Sequence, residues 1–117
     1  MVQKDDSIYI QDAVEAIGKI QSFLTDKAQE SFVDDELTVS AVAYQAAIVG
    51  EALNKVSSEF QEKNDAIPWR KAISNRNYLI HDYGALNPTM LWDTCTISMP
   101  SLKDQLVEAL QDSDVNS

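Results

Sequence analysis

From Ser7 onward the apolar residues Ile10, Ala13, Val14, Ile17, Ile20 and Leu24 recur at intervals of three and four, with Gln11, Glu15, Lys19 and Gln21 between them. That period predicts an amphipathic helix, opened by the capping oxygens and negative charge of Asp5, Asp6 and Ser7 and closing at Thr25 and Asp26. The stretch from Asp26 to Asp34 reads as a connector that carries Phe32 and Val33. A second helix is expected from the region of Asp34 to Thr38 as far as about Ser57, burying Ala41, Val42, Ile48, Val49, Ala52, Leu53 and Val56. Small residues crowd its middle: Ala43, Ala46, Ala47 and Gly50 allow a neighbouring helix to come close, and Gly50 costs roughly 1 kcal/mol relative to alanine unless that contact offsets it.

The polar run from Ser57 to Ala66 leads to Pro68, which suits the first turn of a helix because proline has no amide hydrogen to leave unpaired there. The helix it opens carries Trp69, Ala72, Ile73, Leu79 and Ile80, runs to about Tyr83, and meets Gly84, the residue type best able to take a left-handed cap. Asn87 and Pro88 restart the chain as cap and first-turn proline. A last helix follows with Leu91, Cys95, Ser98 or Met99, Leu102, Leu106 and Leu110 on one side, interrupted by Pro100, which is expected to break one backbone bond and kink it into two halves. The tail from Asp112 to Ser117 is polar and reads as frayed.

Three glycines and three prolines in 117 residues are too few for the turns of an all-β domain,. The expectation is an all-α chain: a single domain over residues 1–117 with its core in 5–111, built as an antiparallel bundle of four to five helices. Nineteen acidic against nine basic residues give a net charge of −10, which excludes a broad basic nucleic-acid-binding face and confines any RNA contact to a local patch. The single cysteine, Cys95, excludes an internal disulfide and a thiolate metal cluster. There is no run of 18 apolar residues and no apolar stretch behind the polar N-terminus, so the expected compartment is the cytoplasm, with no membrane partner.

One histidine, His81, narrows the chemistry to one neighbourhood. It stands in the string Arg76-Asn77-Tyr78-Leu79-Ile80-His81-Asp82-Tyr83-Gly84. At 100° per residue Asn77 and His81 fall one turn apart on nearly one line of the helix, and Arg76 and Tyr83 two turns apart on a line beside it. Arg76 and His81 are then about 140° apart, a splay that vanishes if a second subunit faces them. An arginine fork for phosphate and an imidazole that exchanges a proton near neutral pH suit phosphodiester cleavage without a metal or other cofactor. A histidine near a helix C-terminus also serves as a plain cap, and Arg76 as an ion-pair partner of Asp82, so spacing alone leaves both readings open.

The pattern of Arg76, four residues, His81, one residue, Tyr83, with Asn77 directly after the arginine, resembles the motif of the HEPN superfamily, and within it the HepT toxins of HepT/MntA (HEPN/MNT) toxin–antitoxin modules. Ile67-Pro68-Trp69-Arg70, Ile48-Val49-Gly50-Glu51-Ala52, Leu91-Trp92 and Pro100-Ser101-Leu102 are similar to that family as well. The resemblance spans roughly residues 5 to 110. Asn75 replaces a more usual apolar residue and Asp82 a more usual glutamate.

The resemblance implies a helical bundle that dimerises so that two motifs share one cleft, and a metal-independent endoribonuclease that is toxic to its cell. His81 is then the general base or acid, Arg76 stabilises charge at phosphorus, and the products are a 2′,3′-cyclic phosphate and a 5′-hydroxyl. Asn77 orients His81 or binds the phosphate, and Glu51 approaches the cleft and pairs with Arg76. Tyr83 is the implied point at which an MntA-like nucleotidyltransferase antitoxin attaches AMP. Lys63, Arg70 and Lys71 are candidates for the cleft rim. The rival readings are a catalytically silent helical partner of a nucleotidyltransferase and a nucleotide-binding regulatory domain. A homodimer is expected from the Arg76/His81 splay and from the small-residue stripe between Ala43 and Gly50.

Overall fold

The structure, a computed structural model, describes residues 4–74 and 87–116. Its elements are helices, and among the described residues there is no strand: α1 (Lys4–Phe23), α2 (Gln29–Val33), α3 (Glu36–Asn54), α4 (Ser58–Lys63), α5 (helical over residues 69–74), α6 (Pro88–Asp93), a π turn (Thr94–Ser98) and α7 (Met99–Asn116). The expected run of the third helix to Tyr83 and its cap at Gly84 fall outside the described residues.

The period read from the sequence organises α1. Ile10, Ala13, Ile17 and Ile20 are fully buried on it, and α1 ends where expected, with Asp26 in the left-handed region at φ 62°, a conformation that aspartate tolerates better than most side chains. The helix begins a turn earlier than Ser7, and Asp6 does not cap it. The Asp6 carboxylate is 3% exposed and instead accepts from the Ser57 amide at 2.8 Å and the Ser57 hydroxyl at 2.7 Å. With Lys55 Nζ 5.7 Å from the centre of the Tyr9 ring, this contact sets the start of α1 against the end of α3, so the two helices run antiparallel.

Helix α3 is capped by Asp35, whose carboxylate accepts from the Thr38 amide at 3.1 Å and the Thr38 hydroxyl at 2.6 Å. Those bonds hold the Asp35 carboxyl below its ordinary value of 3.8, with the Lys27 ammonium 3.7 Å away adding to the shift,. The buried line of α3 is Val39, Val42, Ala43, Ala46, Val49, Gly50, Ala52 and Leu53, while Ala41 and Ile48 are half-buried. The small residues Ala43, Ala46 and Gly50 are thus covered within one copy of the chain, which removes the stripe as a reason to expect a dimer.

Two short helices stand where connectors were expected. Helix α2 carries Phe32, 0% exposed, whose ring lies 5.3 Å from that of Trp92 on α6. Helix α4 is capped by Ser57, which accepts from the Phe60 amide at 3.2 Å. A single helical turn contains too few positions to show a period, so one buried aromatic in a polar run is its whole signature.

Asn87 caps α6 as expected, accepting from the Thr89 and Met90 amides at 2.9 and 3.3 Å with Pro88 in the first turn. Pro100 lies in the first turn of α7, and the last helical path falls into two parts, α6 and α7, joined by the π turn. The backbone stays helical from Pro88 through Asn116, and the disturbance is absorbed one turn earlier, where the Met99 amide reaches back five residues to the Thr94 carbonyl. Proline lacks the donor for an ordinary turn and its ring crowds the carbonyl four residues before it, here that of Thr96; a widened turn relieves that crowding. Helix α7 continues past Asp112 to Asn116. Leu91, Cys95, Met99, Leu102, Leu106 and Ala109 along this path complete the core.

Candidate functional site

Arg76, Asn77, His81 and Tyr83, with Asn75 and Asp82, lie outside the described residues. What the structure does describe is the start of α5, up to Ser74, together with Glu51, Lys63, Arg70 and Lys71.

Helix α5 enters on three buried side chains, Ile67, Trp69 and Ala72, each less than a tenth exposed. Trp69 is held on two sides. Its indole N–H donates to the Asn64 carbonyl at 3.0 Å, and its ring meets Phe60 nearly edge-on, at 86° and 6.1 Å between centres, a favoured aromatic geometry. The turn before it is fastened in turn: the Ile67 amide donates to the Asn64 carbonyl at 3.1 Å, Asn64 Nδ2 to the Phe60 carbonyl at 3.0 Å, and Gln105 Nε2 of α7 to the Ala66 carbonyl at 3.1 Å. Because Ser57 caps the turn that presents Phe60, a continuous line of contacts runs from Asp6 through Ser57 and Phe60 to Trp69. Pro68 fixes the backbone as α5 begins, and the Ala72 amide donates to its carbonyl at 3.1 Å,.

Arg70 and Lys71 are exposed beside this anchor. Both line an open depression of about 610 Å³ whose other walls include Glu62 and Asp65, with Ile67, Pro68 and Ile73 as apolar surface. Lys63 does not line it; its ammonium is 3.1 Å from the Glu59 carboxylate on the exposed side of α4. Glu51 is half-buried on α3 and lines a different feature, a groove of about 280 Å³ between α1 and α3 that also takes in Tyr9, Asp12, Lys19 and Lys55. The expected approach of Glu51 to Arg76 falls outside the described residues because Arg76 does.

The depression was legible in the sequence only as the adjacent cations Arg70 and Lys71. The aromatic anchor beneath it, Phe60 against Trp69, was not, because its two rings come from segments that share no period. No described helix is long and apolar enough to cross a membrane.

A family model described as "Ribonuclease HepT-like" matches residues 13–109. Among curated proteins, the "Probable ribonuclease HepT" of Thermococcus cleftensis is 36% identical over 95 residues, covering 81% of this chain and 86% of its own. A protein of Caldanaerobacter subterraneus named "Putative RNase" is 35% identical over 82 residues, covering 70% and 73%. A third, from Methanocaldococcus jannaschii, is named "Gamma-glutamylcyclotransferase and putative RNase"; it is 29% identical over 115 residues, which is 98% of this chain but 52% of that protein, so the chain spans about half of it. No solved structure matches the chain.

Proposed function

The chain belongs to the HepT-like ribonuclease family, and we propose that it is a toxin-type endoribonuclease whose reacting groups are Arg76 and His81. The observation that carries this reading is that the family match over residues 13–109 contains the whole Arg76–Tyr83 segment, in a chain whose one histidine stands five residues after an arginine. The firmly held base of α5 supports it, since a segment that does chemistry needs a rigid platform to position it.

In this mechanism the His81 imidazole takes the proton of a ribose 2′-hydroxyl, and the 2′-oxygen attacks the neighbouring phosphorus. The bond from phosphorus to the 5′-oxygen breaks, and the leaving oxygen takes a proton from an imidazolium. The products are a 2′,3′-cyclic phosphate and a 5′-hydroxyl, and no metal takes part. The Arg76 guanidinium binds the non-bridging oxygens, where negative charge builds in the transition state. Asn77 orients His81 or binds the phosphate, and Glu51 supports Arg76. Two copies facing each other as a homodimer bring two such pairs into one cleft, so that one histidine acts as base and the other as acid. An MntA-like nucleotidyltransferase silences the enzyme by attaching AMP to Tyr83, which places bulk and negative charge where RNA phosphate has to bind.

The test is induced expression of the wild type, Arg76→Ala and His81→Ala in a bacterial host, following growth and total RNA together. Arrest with RNA cleavage in the wild type alone is the expected result. Normal growth and intact RNA for all three would replace the ribonuclease with the silent helical partner of a nucleotidyltransferase. Co-expression with a candidate antitoxin is expected to raise the intact mass by one or more AMP units, and Tyr83→Phe to abolish the gain.

A further inference from the structure

In a chain with a net charge of −10, each cation has acidic partners to choose from, so a cation left without one is informative. Of the nine lysines and arginines, Lys19, Lys27 and Lys63 stand in ion pairs with Glu15, Asp35 and Glu59. Lys55 lies over the Tyr9 ring, and Lys103 donates to Gln21 at 3.1 Å. Arg76 and the side chain of Lys4 fall outside the described residues. That leaves Arg70 and Lys71, adjacent and exposed, as the two described cations that make no ion pair, hydrogen bond or ring contact among the described residues.

Their setting is also particular. The depression they share takes its basic edge from α5, an acidic edge from α4 and the turn after it through Glu62 and Asp65, and apolar surface from Ile67, Pro68 and Ile73. A polyanion lying in it is drawn to the α5 edge and repelled from the other, so the charge pattern gives it a direction as well as a place. Five residues on from Lys71 comes Arg76, and chain length alone holds their Cα atoms within about 18 Å, a reach of a few nucleotides.

We infer that Arg70 and Lys71 form a phosphate-binding subsite that holds an RNA strand beside the scissile phosphate, with Glu62 and Asp65 repelling the strand from the opposite edge. This rests on the ribonuclease reading above. Arg70 and Lys71 act through the strand's position, not on the reacting bond, so they govern binding of a strand long enough to reach them and leave the chemical step alone.

The experiment compares cleavage of a single-stranded RNA oligonucleotide and of a dinucleotide by the wild type, Arg70→Ala/Lys71→Ala and Glu62→Gln/Asp65→Asn over a series of salt concentrations. For the oligonucleotide, the Arg70→Ala/Lys71→Ala protein is expected to show KM raised roughly three- to tenfold with kcat unchanged, and a salt dependence of log(kcat/KM) shallower by about 0.7 for each phosphate that is no longer neutralised. On the dinucleotide it matches the wild type. Glu62→Gln/Asp65→Asn lowers KM for the oligonucleotide, which no loss of structure would do. Unchanged KM and salt slope in an Arg70→Ala/Lys71→Ala protein of native circular dichroism would overturn the subsite while leaving the enzyme; no cleavage by the wild type, with RNA intact in cells as well, would overturn the ribonuclease reading and the subsite with it.

Discussion

The Asp6 carboxylate, buried at the start of α1, accepts from both donors of Ser57, the amide at 2.8 Å and the hydroxyl at 2.7 Å, across 51 residues of chain. Ser57 in turn caps α4 and presents Phe60 to Trp69, so the first turn of α1 is tied to the start of α5. Asp6→Ala leaves two part-buried donors without their acceptor and is expected to cost about 1–3 kcal/mol,. Ser57→Ala loses the cap as well as its share of the pair, at about 0.5–2 kcal/mol. Urea unfolding of both and of the double variant measures it; additive losses would mean that the two residues act independently.

Asp35 sets an acid dependence on the stability of α3. Its hydrogen bonds from Thr38, helped by Lys27, favour the charged form in the folded chain. A folded-state pKa below the unfolded one contributes stability that is present in full above the ordinary carboxylate value of 3.8 and fades as the pH falls from there through the lower folded value,. Asp35→Ala is therefore expected to be less stable than the wild type at neutral pH and to converge on it in strong acid. Urea midpoints at the two pH values check this, and an equal gap at both would refute it.

Cys95 is expected to be chemically silent in the folded protein. It is 2% exposed, and burial pushes its thiol from 9.0 up to about 12, so the reactive thiolate is scarce as well as covered. An aromatic disulfide reagent should label it only at the rate of opening, and at once in denaturant. Because the unfolded thiol ionises near 9.0 and the folded one near 12, this group lowers stability progressively as the pH rises through that window, a fall that Cys95→Ala removes.

Trp69→Phe keeps a ring against Phe60 but loses the bond to the Asn64 carbonyl at 3.0 Å. The expected cost is about 1–2 kcal/mol. Under the proposed function it also lowers kcat with Arg76 and His81 untouched, because the base of their segment loosens. Unfolding curves and cleavage rates on one preparation test both; full activity in a destabilised protein would show that the anchor matters for folding alone.

The long helices were legible because α1, α3 and α7 each bury one face of a regular period, and Asn87-Pro88 and the stop at Asp26 carry their own local chemistry. What a period cannot encode is a helix of one turn or a contact between distant segments. So α2 and α4 read as connectors, and Asp6 read as a cap when its partner lies near the end of α3. Pro100 announced a disturbance but not its form, since whether a helix breaks or widens depends on what packs on both sides, and here Leu91, Cys95 and Met99 are all buried against the same core. Arg76, Asn77, His81 and Tyr83 were picked out by type and spacing alone, and they lie outside the described residues. The pairing of Lys63 with Glu59, and the lack of an ion pair for Arg70 and Lys71 among the described residues, depend on which acids the fold brings near, and that is a tertiary fact.

The two tryptophans sit in unlike surroundings. Trp92 rests against Phe32 between α2 and α6, whereas Trp69 stands next to Arg70 with its indole hydrogen committed to a carbonyl. Their emission therefore reads as two separable signals. With Trp92 replaced by phenylalanine, the remaining fluorescence comes from Trp69, which lines the depression at the α5 edge, and under the proposed function it reports the arrival of RNA there.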